Sequence, residues 1–137
     1  MIQAAIIAAA RSQIGTPFHH LGRLPGIRLD CAGLVVHVAR EIGADYLDVD
    51  GYSNHPSQGM LEAALDRQPC LRRVSLIDRQ PGDVLLMRFK GDPQHLAICA
   101  GDTVIHAYAD NGYVCEHRLA DVWVARIVRV YRFQVAA

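Results

Sequence analysis

The feature that most constrains the fold is a change of hydrophobic pattern at Pro81-Gly82-Asp83, a tripeptide typical of a turn. Before this turn, apolar residues recur at helical spacing. After it, they form short runs separated by turn residues. Helices followed by strands indicate an α+β domain in which the N-terminal helices pack on a C-terminal antiparallel sheet. Because the chain has 137 residues and neither repeats nor a linker, we expect a single domain over residues 1–137.

Three helices are predicted in the first half of the chain: Ile2–Gln13, Cys31–Ile42 and Met60–Arg67. The middle one is apolar nearly all round, which is typical of a buried helix. Asp30 is its N-cap candidate and Gly43 its C-cap candidate. Irregular sequence rich in glycine and proline separates the first two helices, and a polar stretch over residues 45–58 precedes the third.

Five strands are predicted in the second half, each as a short apolar run bounded by turn residues. They are Val84–Phe89, Leu96–Ala100, Val104–Ala107, Tyr113–Glu116 and Ile127–Phe133. Gly101-Asp102 is the predicted two-residue loop of the hairpin that joins the second and third of these strands.

Charge and hydropathy exclude several classes of protein. Fourteen basic residues balance fourteen acidic ones, so no long-range field favours nucleic acid or an anionic membrane. The apolar run over residues 4–10 is too short to span a bilayer and lacks the basic leader and cleavage pattern of a secretory signal. We therefore expect synthesis in the cytoplasm, without membrane insertion.

The four cysteines include one candidate nucleophile. No Cys-x-x-Cys pair is present, so a zinc ribbon or a thioredoxin-type motif is not favoured, and a disulfide framework is not expected without a secretory signal. Cys31 falls in the first turn of the predicted buried helix, where free backbone N–H groups and the helix dipole favour a thiolate. An inert buried cysteine is the alternative interpretation. We assign no chemistry to the remaining three, Cys70, Cys99 and Cys115.

Two histidines are predicted to meet on the sheet. With a Gly101-Asp102 loop, Ala97 faces His106 across the hairpin. Side chains alternate along a strand, so His95 projects from the same face as Ala97 and is the diagonal neighbour of His106. A shift of one residue would send His106 to the other face, so this prediction depends on the loop.

Cys31, His95 and His106 thus supply a thiol, a base and a group that orients the base, which is the arrangement used in papain-type acyl transfer. The alternative is that both histidines are core or surface residues with satisfied hydrogen bonds and no catalytic role. No His-x-x-x-His or Cys-x-x-Cys pair supports a metal site, so neither a metal nor a cofactor is expected.

Five short motifs follow one another along the chain: Gly15-Thr16-Pro17-Phe18-His19-His20, Asp30-Cys31-Ala32-Gly33-Leu34-Val35, Pro81-Gly82-Asp83-Val84, His95-Leu96-Ala97-Ile98 and Val104-Ile105-His106-Ala107. Their order and spacing resemble those of the NlpC-type cell-wall peptidases, and the resemblance extends over nearly the whole chain. The resemblance is greatest to the compact, phage-encoded branch.

The resemblance implies a minimal papain-like fold with Cys31, His95 and His106 as its triad. It also implies cleavage of the amide between D-glutamate and a diamino acid in peptidoglycan stem peptides. By the same analogy, the protein would be encoded by a phage or prophage and delivered with the virion tail, where tail-tip proteins would be its partners.

Two positions depart from the family pattern. Phe18 stands where tyrosine is common, and Ala32 where serine is common. In the family those hydroxyls, together with the aspartate that matches Asp30, help to hold the amine end of the substrate. The resemblance therefore implies substrate-binding positions at Asp30, Phe18 and Ala32, with two hydroxyls missing. A weakly catalytic tail-assembly or wall-binding protein on this scaffold, and a cytosolic thiol-dependent amidase or acyltransferase, remain alternatives.

Overall fold

The structure is a computed structural model that describes residues 2–48 and 59–135. Within those ranges the helices are α1 (Ile2–Arg11), α2 (Cys31–Glu41), α3 (Met60–Asp66) and α4 (Asp121–Val124), with a 3-10 turn at Leu76–Asp78. The strands are β1 (Arg23–Leu24), β2 (Arg28–Leu29), β3 (Leu71–Val74), β4 (Val84–Phe89), β5 (Asp92–Cys99), β6 (Thr103–Tyr108), β7 (Tyr113–Arg118) and β8 (Ile127–Phe133).

Six of these strands form one antiparallel sheet in the order β3-β8-β4-β5-β6-β7. Helices α1 and α2 pack against each other, and α2 packs on β5 and β6. The predicted α+β class, with helices on an antiparallel sheet, is confirmed. In the described part of the chain, no helix is long and apolar enough to cross a bilayer.

The alternation of side chains divides the buried residues between the two faces of the sheet. In β4, Leu86 joins the main core with residues of α1 and α2, whereas Leu85 and Met87 join a smaller cluster on the opposite face. Trp123 of α4 packs against that smaller cluster. The smaller cluster also contains Cys99, whereas Cys70 lies in the main core.

The start of α2 is fixed by its cap and by a close backbone contact. Asp30 is the N-cap, and its Oδ1 accepts a hydrogen bond from the Gly33 amide at 2.7 Å. A Cβ on Gly33 would lie 2.2 Å from the Gly22 carbonyl oxygen, so only glycine permits this approach of the preceding loop. At the other end Gly43 follows the C-cap Ile42 with φ 72°, in the left-handed region. The predicted N-cap is confirmed, whereas the C-cap is Ile42, one residue before the predicted Gly43.

The segment between α1 and β1 runs along the outer side of β7. Val114 donates its amide hydrogen to the Thr16 carbonyl at 2.9 Å and accepts one from the Gly15 amide at 2.8 Å. The Phe18 amide donates to the Gly112 carbonyl at 2.9 Å. Residues 15–18 are thereby joined to the sheet through their backbone.

Several details differ from the sequence prediction. The region between the first two helices contains the short hairpin β1–β2, and β5 begins at Asp92 rather than at Leu96. The structure adds β3, in which Arg72 and Arg73 are exposed. This strand lies at the edge of the sheet and pairs with β8, so it lacks the apolar run that the prediction relied on. Within the predicted polar stretch, residues 49–58 lie outside the described residues.

Candidate active site

Cys31 lies at the tip of α2, half-buried, in a cleft with a volume of about 400 Å³. His95, near the middle of β5, lines the same cleft. The other lining residues come from the loop before α2, from the β4–β5 and β6–β7 hairpins, and from the turn before β8: Phe18, Phe89, Lys90, Gln94, Tyr108, Ala109, Asp110 and Arg126. The helix tip and the sheet thus present the thiol and an imidazole to one opening.

The surroundings of Cys31 favour the neutral thiol. Burial, with the neighbouring Asp30 carboxylate, raises the pKa of the Cys31 thiol to about 12. Hydrogen bonds from the backbone of Leu96 and Ala32 act in the opposite direction and offset part of this rise. The sequence argument, which considered only the helix start, predicted a stabilised thiolate. That prediction is wrong for the resting site because desolvation outweighs the helix end.

The predicted meeting of His95 and His106 is confirmed. Strands β5 and β6 pair Ile98 with Ile105 and Cys99 with Val104, which is the register expected for a Gly101-Asp102 loop. His95 Nε2 and His106 Nδ1 lie 2.6 Å apart, within a hydrogen bond. His95 is 5% exposed and His106 is fully buried. The second imidazole therefore fixes the orientation of the first.

A third imidazole extends this pair. His106 Nε2 lies 2.8 Å from His117 Nε2, and His117 Nδ1 lies 2.8 Å from the carbonyl oxygen of Arg118. Strands β6 and β7 pair His106 with Cys115, so His117 on the same face is the diagonal neighbour of His106. We refer to His95, His106 and His117 as the histidine chain.

Burial keeps the inner rings of the histidine chain neutral. Burial lowers the pKa of His106 to about 3, and the neighbouring His117 contributes to this shift. Burial also lowers the pKa of His95 well below its usual range, and His106, Arg126 and His117 add to the effect. Burial thus favours the uncharged forms of both Cys31 and His95.

Aromatic rings enclose the histidine chain. Tyr108 stacks on His106 with ring centroids 5.2 Å apart and planes 6° apart, and Trp123 meets the His106 ring edge-on at 5.3 Å. Phe89 lies 5.1 Å from His95. The Arg126 guanidinium lies over the Phe89 ring at 4.6 Å. These contacts restrict the rings to one arrangement and keep water from the inner pair.

The three predicted substrate-binding residues have different surroundings in the structure. The Asp30 carboxylate accepts hydrogen bonds from the amides of Gly33 and Leu21 and pairs with Arg23 at 2.7 Å, so it holds the helix and the loop together. Phe18 is half-buried and lines the cleft, whereas Ala32 packs against the main core. Contact of any of the three with substrate remains a prediction.

One group of possible metal ligands lies close together among the described residues. The nearest ligand atoms of His106, Cys115 and His117 are within 4.8 Å of one another. However, His106 Nε2 and His117 Nε2 are joined by their own hydrogen bond. We interpret the group as part of the histidine chain, and the expected absence of a metal remains a prediction.

Sequence reasoning missed His117 because the predicted strand ended one residue earlier, at Glu116. Two signals were available in the sequence. His95, His106 and His117 are separated by eleven residues each, and Cys115 and His117 alternate onto one face of a strand. Trp123 packs on the rings of His106 and His117.

Comparison with known proteins gives one family. The sequence profile of the NlpC/P60 family matches residues 15–132. A protein of Mycobacterium tuberculosis named "Probable endopeptidase" is 35% identical over 100 residues, which are 73% of this chain and 22% of that protein. The chain therefore spans about a fifth of the length of this curated relative.

Solved structures give the same fold. The NlpC/P60 domain of the peptidoglycan hydrolase SagA superposes with a TM-score of 0.63 at 26% identity and covers 93% of this chain and 96% of that one. The peptidoglycan hydrolase RipB of Mycobacterium tuberculosis superposes with a TM-score of 0.68 at 17% identity over 99% of this chain and 66% of that one. Because the family profile matches most of the chain and the fold agrees, this protein belongs to the NlpC/P60 family.

Proposed function

We propose that this chain is a cysteine peptidase that hydrolyses an amide bond in peptidoglycan stem peptides, between D-glutamate and a diamino acid. One observation carries the proposal: Cys31 and His95 line the same cleft, and His95 is held by His106 at 2.6 Å. The endopeptidase and peptidoglycan hydrolase names of its relatives support the same substrate class.

The neutral thiol and imidazole define the order of proton transfers. As Cys31 Sγ attacks the scissile carbonyl carbon, its proton passes to His95 Nδ1, because His95 Nε2 is engaged with His106. His95 then gives this proton to the nitrogen of the leaving amine as the C–N bond breaks. A water molecule attacks the thioester, returns a proton through His95 to Sγ, and releases the carboxylic acid. Backbone amides at the start of α2 would stabilise the oxyanion.

The charges around the cleft suit a peptide that bears carboxylates. Lys90 and Arg126 contribute positive charge to its lining, and Asp110 contributes a negative charge. A stem peptide presents the carboxylates of D-glutamate and the diamino acid, together with a free amine. Lys90 and Arg126 would bind the carboxylates, and Asp110 or Asp30 would bind the amine.

Delivery and alternative functions belong to the same proposal. We propose that a phage or prophage encodes the chain and that a tail carries it to the wall, with tail-tip proteins as partners.

The missing hydroxyls at Phe18 and Ala32 favour a second candidate, a wall-binding or tail-assembly protein with weak catalysis. A thiol-dependent amidase or acyltransferase acting on a small cytosolic substrate is the third.

Digestion of purified peptidoglycan, read by mass spectrometry, tests the proposal. The wild-type protein should release fragments cut between D-glutamate and the diamino acid, and Cys31→Ala should lower kcat/KM at least about 10³-fold while the Tm stays the same. The matched control is Cys70→Ala, which lies in the main core away from the cleft and should retain the rate.

The outcomes separate the three candidates. Binding to peptidoglycan without any fragment, equal for the wild type and Cys31→Ala, would favour the binding protein. Turnover of small amides without turnover of peptidoglycan would favour the amidase. A rate that is unchanged in Cys31→Ala would exclude every mechanism that uses this thiol.

A further inference from the structure

The histidine chain ends on a backbone carbonyl, and this gives each hydrogen bond a direction. A carbonyl oxygen only accepts hydrogen bonds, so at 2.8 Å from Arg118 O the His117 Nδ1 atom must carry a proton. A neutral imidazole has one N–H, so His117 Nε2 is then an acceptor. His106 Nε2 must donate to it across 2.8 Å.

The same reasoning passes inward to His95. With its proton on Nε2, neutral His106 has a free lone pair on Nδ1, which accepts from His95 Nε2 at 2.6 Å. His95 then has no proton on Nδ1. That nitrogen is the one that must accept the proton of Cys31 in the proposed reaction, so the carbonyl of Arg118 prepares the base three rings away.

The reverse arrangement is disfavoured by the same carbonyl. If every proton in the histidine chain stood on the opposite nitrogen, the lone pair of His117 Nδ1 would face the lone pairs of Arg118 O at 2.8 Å. His95 would then carry its proton on Nδ1 and could not act as a base. Burial of His95 and His106 strengthens the selection, since water cannot replace a missing donor or acceptor there.

We propose that His117 is a positioning residue of the active site, which sets the tautomers of His106 and His95 through the carbonyl of Arg118. The proposal rests on the proposed function for its effect on rate, but the tautomers themselves exist without substrate. His117 is half-buried and contacts the Trp123 ring at 4.8 Å. It is therefore a residue that can be replaced without opening the main core.

Two variants of the full chain test the effect on rate. His117→Leu removes the acceptor for His106 Nε2–H and should lower kcat at least about tenfold with KM unchanged, because a base in the wrong tautomer binds substrate but does not accept a proton. His117→Gln offers Oε1 as an acceptor and should recover most of the loss. Equal rates in the wild type and His117→Leu, or equal losses in both variants, would overturn the proposal.

Nuclear magnetic resonance of protein labelled with ¹⁵N in its histidine rings tests the tautomers directly, with no substrate present. The wild type should show Nε2–H for His95 and His106 and Nδ1–H for His117. In His117→Leu, His95 should acquire a population of the Nδ1–H form, and in His117→Gln it should not. A wild-type His95 with its proton on Nδ1, or no change in His117→Leu, would refute the assignment. This result stands whether or not the protein cleaves peptidoglycan, so failure of the two proposals can be distinguished.

Discussion

Two buried polar groups on the same sheet are held in opposite ways. Asp83 is 1% exposed, and its carboxylate takes two hydrogen bonds from the Arg132 guanidinium, at 2.9 and 3.0 Å, and one from the Gln80 amide at 2.9 Å. In the histidine chain, hydrogen bonds join neutral rings to each other and to a backbone carbonyl. The Asp83–Arg132 group is a permanent ion pair, whereas the histidine chain becomes charged only when one of its rings is protonated.

In the proposed mechanism, this difference separates a structural role from a catalytic one. A buried ion pair keeps its geometry because either charge without the other is costly. A carboxylate beside His95 would raise the pKa of that ring and favour its protonated form, which cannot accept the proton of Cys31. Burial and Arg126 instead lower the pKa of His95, so the ring is an unprotonated base before the reaction. The comparison predicts that changes in the first group affect stability and changes in the second affect rate.

The largest effect is expected at the base. His95→Gln should lower kcat/KM about 10³-fold, since it removes the acceptor of the thiol proton. The Tm should change little, because the glutamine amide can still donate to His106. The matched control is His19→Gln. His19 is an exposed residue in the loop before α2, so this variant should retain the rate. Stem-peptide turnover and thermal unfolding measure the two quantities, and loss of stability without loss of rate would reverse the comparison.

Asp83→Ala should show the opposite pattern. Removing the carboxylate leaves the Arg132 guanidinium without its bidentate partner, and the free energy of unfolding should fall by about 3 kcal/mol. The rate per folded molecule should stay the same. Urea denaturation gives the first quantity and active-site titration the second. Arg73→Ala, on the exposed side of β3, serves as the control for loss of a charge. A lower rate at unchanged stability would assign Asp83 to the catalytic group.

A smaller loss of rate is expected at the second ring of the histidine chain. His106→Gln should lower kcat about 10- to 100-fold and leave KM unchanged, because it loosens the orientation of His95 without removing the base. Steady-state kinetics with a soluble stem peptide would measure both constants. A loss as large as that of His95→Gln would mean that His106 itself takes part in proton transfer.

The stability of the fold should also depend on pH. In the unfolded chain His95 and His106 titrate near the ordinary value, whereas burial in the folded state lowers the pKa of His106 to about 3 and that of His95 well below its usual range. Below about pH 6.5 the unfolded state binds more protons, so the free energy of unfolding should fall by up to about 1.4 kcal/mol per pH unit for each ring. Urea denaturation from pH 7 to pH 5 measures this slope, and His106→Gln should remove the share of one ring. A flat profile would contradict neutral, buried rings.

Much of the fold followed from local patterns in the sequence. The limits of β4 and β8 agree with their apolar runs, and Asp30 caps α2 as predicted. The meeting of His95 and His106 was predictable because a two-residue loop fixes the register of a hairpin. The length of β7 was not, since Glu116-His117-Arg118 is a polar sequence whose strand character comes from pairing with β6.

The protonation state of Cys31 could not be predicted in the same way. Its place at the helix start is visible in the sequence and favours a thiolate. The desolvation that raises the pKa of the thiol to about 12 depends on how deeply the helix tip is set against β5, which is a property of the assembled fold. The position of a residue along a helix determines only one contribution to its pKa. The contribution of burial depends on elements that are remote in sequence.

The attachment of residues 15–18 to β7 has a consequence for how specificity can change in this chain. Backbone bonds to Gly112 and Val114 cover the first part of the outer side of β7, so this part of the strand is not free to join a sheet of another molecule. The same bonds fasten Phe18 to the strand that carries His117. Admitting a bulkier peptide by moving this segment would break main-chain pairing, whereas a smaller side chain at position 18 would make room at no such cost. Substitution, rather than loop movement, is the accessible route to a new substrate.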